Sequence, residues 1–184
     1  MLALVRFGNW LGVMAVAAVL LIAFVLQFAQ HELPCPLCML QRVAFVLCGF
    51  GFLMNLRFGS HPAHYGVILL ASLFGLAAAG RQVLLHIVPG DQGYGPPVLG
   101  LHLYTWTFVF FTATVLGAAL LLLLSPSEPE RREGRRALPM GALSSLAAWL
   151  LILVTLANAA AAFALCGPIE CADNPTSYWL LTRF

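Results

Sequence analysis

The sequence predicts an all-α integral membrane protein with five transmembrane helices. Of its 184 residues, 61% are hydrophobic and only 9% are charged, and the mean hydropathy is +0.93, whereas a soluble domain carries about 25% charged residues. The long runs of Leu, Ala, Val and Phe do not alternate with polar residues. Such runs cross a membrane as helices, because lipid cannot satisfy the polar groups of an open strand. We therefore expect membrane lipid to surround most of the chain.

Five apolar segments are expected to span the membrane within one membrane domain. They cover residues 9–29, 39–56, 65–85, 102–124 and 138–165, and they leave a tail at 166–184. The first segment differs from a secretory signal peptide, because its apolar run is too long and no small-residue cleavage site follows it. It is therefore interpreted as the first span.

The distribution of basic residues predicts the orientation. All nine basic residues are Arg, and the net charge of +2 is too small to indicate a nucleic-acid partner. Basic residues favour the cytoplasmic side of a membrane. Six of them lie on the same side as the N-terminus, namely Arg6, Arg57, Arg131, Arg132, Arg135 and Arg136. The other three lie on the opposite side, namely Arg42, Arg81 and Arg183. We expect a cytoplasmic N-terminus, a cytoplasmic loop at 125–136 and a periplasmic C-terminus in a bacterial inner membrane.

Helix parity predicts that the two close cysteine pairs lie on one face of the membrane. Cys35 and Cys38 follow the first span, and Cys166 and Cys171 follow the fifth. Both spans have odd numbers, so the pairs share a face in either orientation. The Arg distribution assigns that face to the periplasm, where cysteines can hold disulfides. The fifth cysteine, Cys48, lies within the second span and is expected to be a small core residue.

The first pair forms a Cys-x-x-Cys motif at the start of the second span. A helix N-terminus stabilises a thiolate, and a lowered thiol pKa makes the thiol a better leaving group. Arg42 follows Cys38 by four residues, on the same helix face, where a charge in lipid indicates function. Two other interpretations remain open: the pair can bind a metal, and Arg42 can extend to the lipid headgroups.

The second pair encloses Gly167 and Pro168, which favour a turn that brings the sulfurs of Cys166 and Cys171 together. A disulfide here can be structural, or it can be of the exposed kind that exchanges with other thiols. Asn158, in the fifth span, is expected to make an interhelical hydrogen bond.

The segment Cys35-Pro-Leu-Cys38-Met-Leu-Gln-Arg42 resembles the quinone-reactive motif of the bacterial disulfide bond formation protein B (DsbB) family. Gly80-Arg81-Gln82 and Leu103-Tyr104-Thr105-Trp106 are similar to further family segments, and the resemblance covers residues 8–124. It implies a four-helix transmembrane bundle, here accompanied by a fifth transmembrane helix. It also implies a membrane quinone, ubiquinone or menaquinone, as electron acceptor. Cys38 would contact the quinone with Cys35 as its disulfide partner, and Arg42 and His86 would lie beside it.

One departure from the family concerns the second cysteine pair. Well-known members carry it between spans three and four, whereas residues 81–101 of this chain contain no cysteine. Cys166 and Cys171 are therefore assigned the partner-facing role, as in a subgroup with a Cys-Gly-x-x-Glu-Cys tail. The implied partner is a periplasmic DsbA-like thiol oxidase. Two rival hypotheses are a metal-handling membrane protein, which would use the four paired cysteines with His31, and a scaffold with a structural disulfide.

Overall fold

The computed structural model of the protein describes residues 2–91, 93–125, 140–169, 171–173 and 175–182. Within these ranges lie five α-helices, α1 (Leu2–Ala29), α2 (Pro36–Phe58), α3 (Pro62–Leu85), α4 (Leu103–Leu123) and α5 (Ala142–Cys166), and a 3₁₀ helix at Trp179–Thr182. All five α-helices are long and apolar enough to cross a membrane, which confirms the predicted fold class. The expected cytoplasmic loop beyond Ser125, the first two residues of the expected fifth span and Arg183 lie outside the described residues.

Local sequence signals explain several helix ends. Pro36 and Pro62 occupy the first turns of α2 and α3, where the missing proline N–H costs no hydrogen bond. Helix α5 ends at Cys166, and Gly167 follows with a φ of +64°, a left-handed conformation that glycine adopts without strain. Cys166 is thus the last helical residue, although the tail was expected to begin there.

Helices α1 to α4 form a bundle, and α5 packs mainly on α1. Helix α2 packs between α1 and α3, α3 packs on α4, and α1 and α4 meet over only a short stretch. The four-helix bundle with an added fifth helix is thereby confirmed. Its interior contains Val16 and Leu20 of α1, Phe45 and Cys48 of α2 and Phe111 of α4, all almost completely buried.

The outer surface of the bundle is apolar. Leu70, Leu116 and Trp149 are 72%, 67% and 63% exposed, and many other large apolar side chains are exposed around them. A water-soluble monomer rarely exposes contiguous apolar surface on this scale. These side chains therefore face the hydrocarbon of a membrane.

Two kinds of interior contact hold the helices together. Gly75 of α3 lies against the Phe111 ring, so the absence of a Cβ permits close approach of α3 and α4. The Cys48 thiol lies 3.2 Å from the Ser72 hydroxyl in the core, as expected for a small buried residue. At the end where α2 finishes, the Asn55 amide donates to Asn9 Oδ1 at 2.8 Å.

Candidate redox site

Cys35 and Cys38 meet at the first turn of α2. Cys35 is the N-cap residue, and its sulfur accepts a hydrogen bond from the Cys38 backbone N–H at 3.3 Å. Both side chains are thiols, and their sulfurs lie 2.7 Å apart. The Cys38 thiol donates a hydrogen bond that lowers the pKa of Cys35 from 9.0 to about 7, and backbone N–H groups of the first turn add to this effect. The start of α2 therefore favours ionisation of the Cys35 thiol, with the Cys38 thiol beside it.

Gln82 of α3 joins the two sulfurs from the side. Its buried amide nitrogen donates to the Cys35 sulfur at 3.5 Å and to the Cys38 sulfur at 3.6 Å. Its amide oxygen accepts a hydrogen bond from Gln41 at 2.8 Å, which fixes the orientation of the amide. A donor shared by both sulfurs stabilises negative charge on either one. Gln82 can therefore stabilise the thiolate form of either cysteine.

Arg42 lies one turn further along α2 and connects three helices. Its Nη1 donates to Gln27 Oε1 of α1 at 2.8 Å and to Asn158 Oδ1 of α5 at 3.1 Å. Its Nη2 donates to the Ala23 carbonyl at 3.1 Å. Asn158 in turn donates to the Leu20 carbonyl at 3.2 Å, which confirms its predicted interhelical hydrogen bond. These contacts hold the guanidinium inside the bundle rather than at the lipid headgroups.

A cavity of about 560 Å³ opens where α1 and α4 separate. Its walls are mostly apolar, and Cys38 and Arg42 both lie on them. Ile22 on α1 and Val109 on α4 also line it and are 54% and 48% exposed on the outer surface of the bundle. The cavity therefore communicates with the lipid-facing side, and it has the size and composition of a small-molecule site.

The segments before α2 and before α4 close one end of the cavity. Glu32, Pro34 and Tyr94 line this end, and the Tyr94 hydroxyl donates a short hydrogen bond to the Leu33 carbonyl. Burial raises the pKa of Glu32 above its usual range. Burial, together with the nearby Cys38, Cys35 and Glu32 charges, raises the pKa of Tyr94 to about 12. Both side chains are therefore disposed to keep their protons.

The structure places His86 away from the cavity wall. It caps the C-terminus of α3, and its Nδ1 lies 3.1 Å from Asp91 Oδ1. Its ring stacks on Tyr104 at a centroid distance of 5.5 Å, and Tyr104 does line the cavity. A contact between His86 and a quinone thus stays a prediction, and the structure shows only that His86 contacts Tyr104, a residue of the cavity wall.

The tail carries a disulfide between Cys166 and Cys171, whose Cα atoms lie 4.8 Å apart. The tail then returns to the bundle. The Tyr178 ring stacks on Phe28 of α1 at 6.1 Å, and its hydroxyl accepts a hydrogen bond from Gln27 at 3.1 Å. The Trp179 ring packs edge-on against Phe163 of α5.

Both cysteine pairs lie at the same end of the bundle, as helix parity predicts. Arg42, one turn into α2, bonds both Gln27 near the end of α1 and Asn158 near the end of α5. Gln27 also bonds Tyr178 of the tail. The start of α2 and the ends of α1 and α5 are thereby adjacent.

Sequence reasoning missed most polar partners of the site. Gln27 gave no recognisable signal beyond being an amide within an apolar helix, and Gln41 and Gln82 were noted only as parts of family segments. Within the described ranges, no group of three or more His, Cys, Asp and Glu side chains has the arrangement of a metal site. The cysteines that the metal hypothesis would combine are here divided between the thiol pair at α2 and the tail disulfide.

Comparison with known proteins identifies the family. The sequence model described as disulfide bond formation protein DsbB matches residues 5–95. Disulfide bond formation protein B 2 of Pseudomonas syringae pv. syringae is 41% identical over 50% of this chain and 54% of its own length. Disulfide bond formation protein B of Hahella chejuensis is 40% identical over 43% of this chain and 50% of its own length. The chain thus spans about half the length of these two relatives.

A longer alignment comes from disulfide bond formation protein B of Marinobacter nauticus, which is 32% identical over 58% of this chain and 85% of its own length. No solved structure gives a significant match. The cysteine motif at the start of α2, the helical bundle and the alignment over most of the Marinobacter protein agree. The chain belongs to the disulfide bond formation protein B family.

Proposed function

We propose that the protein is a quinone-dependent thiol oxidase. It reoxidises a periplasmic thioredoxin-like disulfide donor of the DsbA kind and passes the electrons to a membrane quinone. The observation that carries this proposal is the cavity, whose wall includes both the Cys38 thiol and the Arg42 guanidinium. A redox-active sulfur and a fixed cation at one lipid-accessible cavity are what reduction of an apolar acceptor requires.

The residues present fit a quinone. The cavity volume of about 560 Å³ lies within the roughly 300–1,000 Å³ of ligand pockets. Its apolar walls suit a ring and an isoprenoid chain, and its opening between α1 and α4 suits a ligand that arrives through lipid. Arg42 would hold a quinone oxygen, and Cys38 would face the ring. When bound, a quinone, either ubiquinone or menaquinone, accepts two electrons and two protons.

The remaining steps are thiol–disulfide exchanges on the chain itself. A thiolate of the reduced partner attacks the Cys166–Cys171 disulfide and forms a mixed disulfide, and the partner's second thiol resolves it. The tail is then a dithiol, and the partner is oxidised. A tail thiolate next attacks the disulfide of Cys35 and Cys38, which leaves that pair reduced and the tail pair oxidised. The low pKa of Cys35 favours its role as the leaving thiolate in this exchange.

This path requires both cysteine pairs on the periplasmic side. The proposed topology therefore has a cytoplasmic N-terminus and a periplasmic C-terminus in the bacterial inner membrane. Support comes from the distribution of Arg residues and from the position of both pairs at the same end of the bundle. A reporter fusion after residue 184 should be active in the periplasm, and a cytoplasmic reporter signal would contradict the path.

The experiment measures quinone reduction by the purified full chain in lipid nanodiscs, with either dithiothreitol or a reduced DsbA-like protein as electron donor. Cys38→Ala should abolish quinone reduction with both donors. Cys171→Ser should stop oxidation of the protein donor but spare dithiothreitol, which reaches the α2 pair directly. Cys48→Ala is the matched control, because this buried thiol bonds only Ser72 and the Ile68 carbonyl among the described residues.

Two outcomes would contradict the proposal. Quinone reduction that persists without Cys38 would remove the cavity from the mechanism. Normal oxidation of the protein donor by Cys171→Ser would make the tail disulfide structural, and the donor would then react with Cys35 and Cys38 directly.

A further inference from the structure

Glu32 stands out among the ionisable side chains of the cavity wall, which are Glu32, Cys38, Arg42, Tyr94 and Tyr104. Cys38 is assigned to electron transfer and Arg42 to holding the acceptor. The Tyr94 phenol keeps its proton far above neutral pH. Glu32 is the one carboxyl on this wall among the described residues, and none of the steps proposed above assigns it a role.

The surroundings of Glu32 favour a neutral carboxylic acid. Its Oε1 is buried and has no hydrogen-bond partner among the described residues. Gly95 of the segment before α4 lies so close that a Cβ there would be 3.1 Å from both carboxyl oxygens. The single salt bridge in the described part of the chain joins His86 and Asp91, so no cation there pairs with Glu32. An unpaired carboxylate in such a place is costly, and protonation removes the cost.

The ionisable groups around Glu32 can be named element by element. Tyr94 comes from the segment between α3 and α4, Cys35 and Cys38 come from the start of α2, and Arg42 lies deeper in the same cavity. His31 precedes Glu32 in the chain, and His102, the N-cap of α4, lies 2.9 Å from the carbonyl of the same Gly95. The cysteine pair and Tyr94 add no positive charge. Burial is accordingly the cause that raises the pKa of Glu32, which favours its protonated form, and the carboxyl lies at the wall of the proposed quinone site.

We propose that Glu32 is the proton donor of this site, a conclusion that rests on the proposed quinone reductase function. Oxidation of the thiols of Cys35 and Cys38 to one disulfide releases two electrons and two protons, and reduction of a quinone to a quinol takes up two of each. Glu32 delivers one proton to a quinone oxygen and then regains one of the two protons that the thiols release. The second thiol proton passes to water, and the other quinone oxygen takes its proton from water. The carboxyl is unchanged over the cycle, and no further reductant or acid is needed.

Binding gives a readout that does not depend on turnover. A neutral Glu32 donates a hydrogen bond to a bound quinone oxygen, whereas its carboxylate cannot. Quenching of Trp fluorescence by a short-chain ubiquinone reports binding, because Trp106 lines the same cavity. In the full chain in nanodiscs, affinity should fall about tenfold as pH rises through the Glu32 titration, the factor expected for one hydrogen bond.

Three variants test the assignment. Glu32→Gln keeps a neutral donor, so its quinone affinity should not change with pH when Cys35 and Cys38 are held as a disulfide. The single-turnover rate of oxidation of the reduced pair should fall about 100-fold or more. Glu32→Asp keeps a carboxyl and should keep a pH-dependent affinity. Asp173→Asn, at an exposed tail position, is the matched control and should behave as wild type.

The outcomes separate two failures. If the wild-type chain neither binds nor reduces the short-chain ubiquinone, the proposed function fails. If wild type does both, but Glu32→Gln matches its rate and its pH profile, the Glu32 assignment is overturned and the function stands. Should Glu32→Gln lose quinone binding altogether, Glu32→Asp decides: an affinity that changes with pH supports the assignment, and one that does not overturns it.

Discussion

Replacing Arg42 tests whether this side chain binds the acceptor or only ties helices together. The guanidinium has five N–H donors, and described residues accept three of them, through Gln27, Asn158 and the Ala23 carbonyl. Two donors thus have no acceptor among the described residues, and Arg42 lines the cavity. We expect at least one of them to bind the ligand. Arg42→Ala removes the cation and both of these donors.

The size of the effect follows from one lost charged hydrogen bond. Such a bond contributes about 1.5–3 kcal/mol, and about 1.4 kcal/mol corresponds to a factor of ten. The KM for quinone should therefore rise by about 10- to 150-fold. The turnover number at saturating quinone should change little if the contact acts in binding alone. Arg42→Lys should fall between wild type and Arg42→Ala, because an ammonium keeps the charge but not the planar geometry.

The assay is a quinone titration in nanodiscs at saturating dithiothreitol. Arg81→Ala is the matched control, since Arg81 is an exposed arginine next to Gln82 that does not line the cavity. A parallel thermal unfolding measurement detects loss of folded protein, because the variant leaves the oxygens of Gln27 and Asn158 without their cation. An unchanged KM in folded Arg42→Ala would refute the reasoning and reduce Arg42 to a structural link between α1, α2 and α5.

Two further predictions concern the thiol pair and the helix packing. In reduced protein lacking Cys48, alkylation of Cys35 should have its pH midpoint at about 7. Cys38→Ala should raise that midpoint towards 9.0, because the largest of the contacts that stabilise the thiolate is lost while the backbone N–H bonds of the first turn remain. Gly75→Ala places a methyl group in the space of the Phe111 ring and should lower the free energy of unfolding by about 1–3 kcal/mol, measured by denaturation in mixed micelles.

Controls exist for both. A Cys35 midpoint that stays at about 7 without Cys38 would show that the backbone N–H groups of the first turn, rather than the Cys38 thiol, lower the pKa. For the packing prediction, Gly66→Ala is the matched variant in the same helix, since nothing lies within 4 Å of its Cβ position. It should be neutral or stabilising, and an equal loss of stability in both variants would contradict the argument from Phe111.

The sequence alone determined the fold class and the relation between the cysteine pairs. Hydropathy is a property of consecutive residues, so it predicts helices that cross lipid without knowledge of their neighbours. Parity then places Cys35 and Cys166 at the same end, because each crossing reverses the chain. The helix-start position of the first pair is also local, since Pro36 and the cysteine spacing lie within one turn.

The tertiary structure decided what surrounds those sulfurs and Arg42. Arg42 is hydrogen-bonded to Asn158, which lies 116 positions away in the sequence, and Gln82 is hydrogen-bonded to Cys38, which lies 44 positions away. The separation of α1 from α4, which creates the cavity, depends on how all the helices pack. An amide or carboxyl in an apolar segment carries no local sign of its partner, so the sequence could not assign Gln82 to the sulfurs, Glu32 to the cavity or His86 to Tyr104. Side-chain chemistry is encoded locally, but the distances that make it a site arise only from packing.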